Sequence, residues 1–422
     1  MTQTDAIPLV VAITGASAGV GRATARAFAR RGAHIGILAR AADRLEATAR
    51  DVEALGGRAV VVPGDVANPD DLERLAAETE RAFGPLDIWV NNAMATVYGE
   101  VHEVEPDEFR RATDVTYLGQ VYGAQAALRR MRPRDAGTIV FVGSSLAYRG
   151  IPLQSAYCGA KHAVQGFFES LRSELIHQES GVAVTMVQLP ALNTPQFGWA
   201  RTKRAHTPRP AGTVYAPEVA ADAIVFAATD GRGRREIWVG ASTVQAILAN
   251  RVAPGLLDHY VARTLYEGET TDQPVAPDRA DNLFDPVPGD PGADGAFGDE
   301  ARDTSLQLWA TKHRRLISGV ALLAIAVLTW RCGTAARSVS SNESVQQRQA
   351  LGMTTGAEVA RLARKGEQVL VRTCVAANAR KAVLEDATRE ELIGDLRPDG
   401  PPRTVRGGES LVVHHSVCGT GR

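Results

Sequence analysis

Short apolar runs recur through the first 240 residues, each followed by a turn and a helical stretch: Leu9 to Ile13, His34 to Ala39, Ala59 to Val62, Asp87 to Val90, Thr138 to Val142, Ala183 to Gln188 and Arg235 to Gly240. Runs this short and this continuously apolar read as strands buried on both faces, and strands that alternate with helices predict an α/β domain with a doubly wound parallel sheet. The stretch Thr243 to Tyr266 predicts a helix broken near Pro254, which closes a domain spanning residues 1–266.

Beyond it the pattern changes. Thr270 to Glu300 is rich in Pro, Gly and Asp, with five prolines between Gln273 and Pro291, so residues 267–311 predict an extended, weakly ordered linker. Residues 312–331 then carry Lys312, His313, Arg314 and Arg315 ahead of an uncharged run from Leu316 to Trp330, closed by Arg331. As helix that run would span about 22 Å, short of the roughly 30 Å of a bilayer core, so it predicts a membrane anchor, an interfacial helix, or a helix docked on protein or at a dimer interface. The tail, 332–422, offers helix-like pieces at 357–364 and 389–396 and a possible strand at Gln368 to Thr373, with a Gly/Pro/Arg ending that predicts disorder; no internal repeat is visible.

Candidate chemistry sits inside the first domain. After the first apolar run comes Thr14, Gly15, Ala16, Ser17, Ala18, Gly19, Val20, Gly21, then an alanine-rich helix. Strand, glycine turn and helix together make a dinucleotide cradle, because missing Cβ atoms let the backbone approach a pyrophosphate and the helix N-terminus supplies N–H groups. Downstream, Tyr157 and Lys161 stand four residues apart. On a helix they share a face, where an ammonium beneath the phenol oxygen would draw the tyrosine below its usual value of about 10 and make it an acid and base near neutrality. The second run ends in Ala39 and Arg40 with no carboxylate before Asp43. An acid there would take the ribose hydroxyls of NAD, whereas arginine suits the extra phosphate of NADP, so NADP is the predicted cofactor.

The spacing T-G-x-x-x-G-x-G, with Y-x-x-x-K downstream, resembles the short-chain dehydrogenase/reductase family over roughly residues 8–265. The resemblance implies cofactor contacts from Gly15, Ser17, Gly19, Gly21, Asp65, Val66, Asn91, Tyr157, Lys161 and Thr194, alongside Arg40. It places a catalytic serine thirteen residues before the tyrosine, at Ser144, with Ser145 as the rival. The implied catalytic set is therefore Ser144, Tyr157 and Lys161, interconverting a carbonyl and an alcohol by hydride transfer. Three positions depart from the family pattern: Met94 and Ala191 replace glycines, and Thr116 stands where an asparagine helps hold a relay water. These departures support the alternative of a membrane-tethered sensor or scaffold that binds NADP(H) without turnover.

Thr96 to Glu100, Leu146 to Leu153 and a polar stretch from Phe197 to Tyr215, read as a mobile lid or a solvated loop, predict a lipophilic substrate pocket. Composition adds exclusions: with 45% hydrophobic residues and a net charge of -1, and without basic clusters interleaved with aromatics, nucleic acid is not a predicted partner. Cys158, Cys332, Cys374 and Cys418 lack metal or disulfide spacing, and the nine histidines form no ligand motif, so no metal is predicted. Six polar residues before the first strand leave no room for a cleavable signal, which predicts a cytoplasmic catalytic domain. A homo-oligomer follows from the resemblance alone.

Overall fold

The computed structural model describes residues 8–317 and Gly319, together with two three-residue strands further along the chain. The chain divides into two units, residues 1–317 and 318–422. In the first, the apolar runs become β1 Val10–Thr14, β2 His34–Ala39, β3 Arg58–Pro63, β4 Ile88–Asn91, β5 Gly137–Ser144, β6 Val182–Leu189 and β7 Glu236–Trp238. They form one parallel sheet in the order β7-β6-β5-β4-β1-β2-β3. Central strands β1 and β4 are buried throughout, which is why VVAIT and IWVN carry so little polarity.

Helices cover both faces, as the alternation predicts. They are α1 Gly19–Ala29, α2 Ala42–Ala54, α3 Pro69–Phe83, α4 Pro106–Thr113, α5 Gly119–Met131, α6 Ser155–His177, α7 Pro217–Ala228, α8 Ala241–Val252, α9 Pro254–Gly268 and α10 Leu306–Lys312. One apolar cluster joins the sheet to α1, α2 and α7, and a second joins it to α3, α5 and α6. Local signals set the ends: Asn68 caps α3 by accepting from the Asp70 N–H, Pro69 opens the helix, and Asp70 and Asp71 sit at its positive end. Helix α6 buries Ala156, Ala160, Val164, Phe168, Leu171 and Leu175, a stripe at three- and four-residue spacing. Strand order reverses between β4 and β1, so the loops at the C-terminal ends of these strands part and leave a cleft.

The proline-rich segment is the main correction to the sequence reading. Residues 267–311 are packed onto the sheet domain, and the folded unit runs to Ile317 instead of ending at Tyr266. Thr270–Pro274 pairs antiparallel with His206–Pro208, and Leu283, Ala293 and Leu308 are buried. Between Pro274 and Phe297 proline and glycine keep the chain from helix or sheet, but a few apolar anchors and the domain's arginines fix it. The predicted lid is likewise tied down: Gln196–Trp199 forms a helical turn, Val214–Tyr215 pairs with Ala191–Leu192, and Phe197 is buried beside Tyr98.

In the second unit, Val371–Thr373 pairs parallel with Val413–His415, the former at the end of the strand predicted at 368–373. The helix-like pieces at 357–364 and 389–396 lie outside the described residues, as does nearly all of the apolar run from Leu316 to Trp330. Among the described residues no helix is long and apolar enough to cross a membrane.

Candidate active site

The glycine turn joins β1 to α1 and needs its glycines for different reasons. Gly15 and Gly19 adopt φ of +66° and +53°, a region that L side chains disfavour. Gly21 faces the turn itself: a Cβ there would lie 2.1 Å from the Gly15 carbonyl oxygen. Asn92 ties the turn to β4 by donating to the Thr14 and Gly15 carbonyls at 3.0 and 3.1 Å. The turn opens onto a cleft of about 300 Å³ that runs across the C-terminal ends of the strands, from Arg40 and Asp65 to Ser144, Tyr157 and Thr194.

Most of the predicted site residues line that cleft: Gly15, Ser17, Gly19, Arg40, Asp65, Val66, Ser144, Tyr157, Lys161 and Thr194. Two do not. Gly21 acts by letting α1 pack on the turn. Asn91 is wholly buried, accepts from Trp89 Nε1 at 2.8 Å and donates to the Gln120 carbonyl at 3.1 Å, so it ties β4 to α5 instead of facing the cleft. The carboxylate of Asp65 is engaged by Arg111 at 2.5 Å and by the Ala67 N–H at 3.0 Å.

Ser144 ends β5 and its hydroxyl accepts from the Leu146 N–H at 3.1 Å. It also lies beside the Tyr157 phenol, the relation that sets it apart from Ser145. The expected pairing of Tyr157 with Lys161 takes a different form. Lys161 Nζ donates to the Val142 carbonyl at 2.7 Å and lies 5.6 Å from the centre of the Tyr157 ring. Burial pushes the phenol well above its ordinary value, with Ser144 opposing, and burial draws the lysine down to about 7. In the protein alone, desolvation therefore outweighs the attraction that the four-residue spacing implied, and the phenolate is not favoured.

Thr116 sits in a single π-helical turn, Asp114–Leu118, between α4 and α5. Its hydroxyl donates to the Ala95 carbonyl and accepts from the Ala95 N–H, both at 2.9 Å, which pins the Met94 loop to the helix. Met94 lines the cleft together with Leu146, Ile151 and Phe197, giving it a stretch of apolar wall.

Sequence reasoning missed Arg44, which is 4% exposed, lies over the Trp199 ring at 4.8 Å and faces the cleft near Arg40. Its Nη2 has no hydrogen-bond partner among the described residues. A buried guanidinium donor without an acceptor, beside a glycine turn and Arg40, fits an anionic cofactor such as a phosphorylated dinucleotide. The available signal was its place in the first turn of α2, just after Arg40.

The fold and cleft define a class: a dinucleotide-binding α/β protein carrying Ser, Tyr and Lys on the cleft floor. A family model described as short chain dehydrogenase matches residues 9–205. An uncharacterized oxidoreductase, YxnA, from Bacillus subtilis (strain 168) is 32% identical over 278 residues, covering 65% of this chain and 78% of that protein. The chain belongs to the short-chain dehydrogenase/reductase family, whose members use NAD or NADP and act on CH-OH or carbonyl groups. The 11-beta-hydroxysteroid dehydrogenase-like 3 protein of Arabidopsis thaliana is 38% identical over 173 residues, 39% of this chain, and the match spans only 54% of that relative. A crystal structure of a metagenomic short-chain oxidoreductase in complex with NADP aligns at 25% identity, covering 55% of this chain and 97% of that one, with a TM-score of 0.47.

Proposed function

We propose that the protein is an NADP(H)-dependent oxidoreductase that interconverts a lipophilic carbonyl and its alcohol, with Tyr157 as the acid and base. The carrying observation is the convergence of Ser144, Tyr157 and Lys161 on one cleft floor that opens onto the glycine turn. Gly15, Ser17, Gly19 and Thr194 would hold the dinucleotide along its length, and Arg40 and Arg44 would take its 2′-phosphate, with no acid at the end of β2 to favour a free ribose. Bound there, the cofactor supplies or accepts the hydride.

The chain's own residues manage the oxygen. Ser144 donates to the substrate oxygen and holds it beside Tyr157, which gives up its phenolic proton as negative charge develops on that oxygen. Lys161, held at Val142, orients the floor and, when protonated, supports the developing phenolate. In the direction of oxidation the same groups act in reverse. The apolar wall of Met94, Leu146, Ile151 and Phe197 supports a lipophilic substrate. A tether through 316–330 would agree with such a substrate.

The test is NADPH and NADH consumption by the purified protein against lipophilic and small carbonyls, with Tyr157→Phe in parallel. Turnover with NADPH that falls about 100- to 10,000-fold in the variant, while cofactor binding persists, is the expected result. Tight NADPH binding without turnover on any carbonyl would sink this reading and favour the sensor or scaffold.

A further inference from the structure

The cleft has a wall that lies outside the sheet and beyond the residues the family model matches. Residues 282–297, within the segment whose composition predicts a linker, run along its mouth from one end to the other. At the Arg40 end, Leu283 is 1% exposed and shares an apolar cluster with Val66 and Val115. The carbonyls of Asn282, Leu283 and Phe284 all accept from the Arg40 guanidinium, the last at 2.5 Å. Midway, the Gly289 carbonyl accepts from Arg44 Nε at 2.6 Å, Asp290 pairs with Arg22 at 2.5 Å, and the Gly292 carbonyl accepts from the Gly19 N–H at 3.2 Å. At the Thr194 end, the Phe297 N–H donates to Asn193 Oδ1 at 2.8 Å, and Gly295 presses so close to Thr194 that a Cβ would lie 2.4 Å from its carbonyl oxygen.

Two features separate a wall of the site from a plug inside it. Asn282 and Pro286 line the cleft together with Arg40 and Arg44, so open space remains between the strap and these arginines, while at the glycine turn the Gly292 carbonyl takes the Gly19 N–H and would have to yield it to a pyrophosphate. The strap also leaves donors over: three Arg40 hydrogens go to its carbonyls out of the five that a guanidinium carries, and Arg44 keeps its buried Nη2 without an acceptor. Main-chain carbonyls cannot rearrange independently of the chain, so arginines held by them are aimed in advance.

We propose that residues 282–297 form an integral clasp of the cofactor site, orienting Arg40 and Arg44 toward the 2′-phosphate and setting the rate at which cofactor leaves. The orienting role rests on the NADP reading above; the closing role does not. Leu283 is the wedge that seats the strap, and the Arg22 to Asp290 ion pair is its latch.

The experiment measures equilibrium affinity and stopped-flow release of NADPH and NADH, by nucleotide fluorescence, on the full chain. Wild type is compared with Arg44→Gln, Leu283→Ala and Asp290→Ala, each checked by thermal melting. Asp290 has a side chain 42% exposed, so its change leaves the core intact even if Leu283→Ala misfolds. Arg44→Gln should weaken NADPH about 10- to 100-fold and NADH little, the size expected for a lost charge-assisted bond. The strap variants should release NADPH at least about tenfold faster and lose part of the NADPH preference. If Arg44→Gln abolishes the preference while both strap variants keep wild-type release and preference, the clasp is wrong and the NADP reading stands. Strap variants that bind NADPH faster and more tightly would make the strap a competitor, which also overturns the clasp. If wild type shows no NADPH preference and Arg44→Gln changes nothing, the NADP reading and the orienting role fail together, and unchanged NADH release in the strap variants then overturns the closing role.

Discussion

Glu269 offers a sharp test of how burial governs this molecule. It follows α9, is fully buried, and accepts from Gln154 Nε2 at 2.7 Å with one carboxyl oxygen, while the other has no partner among the described residues. Burial pushes its carboxyl up to about 8 from the ordinary 4.5. Between those two pH values the native protein keeps a proton that the unfolded chain has released, so stability must fall as pH rises through that window and level off above about 8. At about 1.36 kcal/mol per pH unit, the whole window amounts to a ceiling of about 5 kcal/mol, which any local opening to solvent reduces. Glu269→Gln is neutral throughout and keeps an acceptor for Gln154, so comparing the two proteins cancels every other titrating group. Urea unfolding at pH 5, 6.5 and 8 should show similar stabilities at pH 5 and an advantage for the glutamine variant that grows toward pH 8. An advantage that is the same at pH 5 and pH 8 would refute the argument, because it would mean that Glu269 ionises alike in both states.

Three further outcomes follow from packing and charge. Gly21→Ala places a Cβ 2.1 Å from the Gly15 oxygen and 2.6 Å from Asn92 Nδ2, so it should lower stability by about 1–3 kcal/mol and weaken NADPH at least about tenfold, read by melting and fluorescence titration. Leu308→Ala should cost about 2–5 kcal/mol in urea unfolding, since Leu308 is 3% exposed within the cluster beneath α1 and α7; no loss would mean that α10 is not part of the folded unit. Lys161, drawn down to about 7 from 10.5, binds fewer protons folded than unfolded between those values, so its penalty is full below about 7 and fades as pH rises. The stability advantage of Lys161→Met over wild type should therefore shrink between pH 7 and 10, and a constant difference would contradict it.

What the sequence made legible was whatever is encoded locally. Buried strands announce themselves as continuous apolar runs, and the glycine turn carries its own backbone requirement, so the sheet and the cleft could be read from the chain, whereas Ser144 and Thr194 were reached only through the family resemblance. The strap was misread because its order is not local. Nothing in its Pro, Gly and Asp composition favours regular structure; what fixes it is Arg22, Arg40 and Arg44, more than 230 residues earlier, together with widely spaced anchors such as Leu283 and Leu308. The same limit applies to Asn91 and Asn92, adjacent in sequence but on opposite duties, since only the tertiary structure shows which one faces the turn.

The four-residue spacing of Tyr157 and Lys161 fixes which groups are neighbours but not their charge. With Lys161 Nζ spent on the Val142 carbonyl and both side chains out of water, burial moves the lysine down and the tyrosine up, so each is driven toward its neutral form. A neutral floor cannot stabilise a phenolate by itself. An acceptor for Lys161 Nζ brought in by a bound cofactor would favour the ammonium, because a hydrogen bond to the charged form opposes the desolvation that draws the lysine down. In the proposed mechanism, acid and base competence is therefore conditional on a filled cleft. A strap that governs how long the cleft stays filled would also govern how long Tyr157 remains ready to exchange its proton.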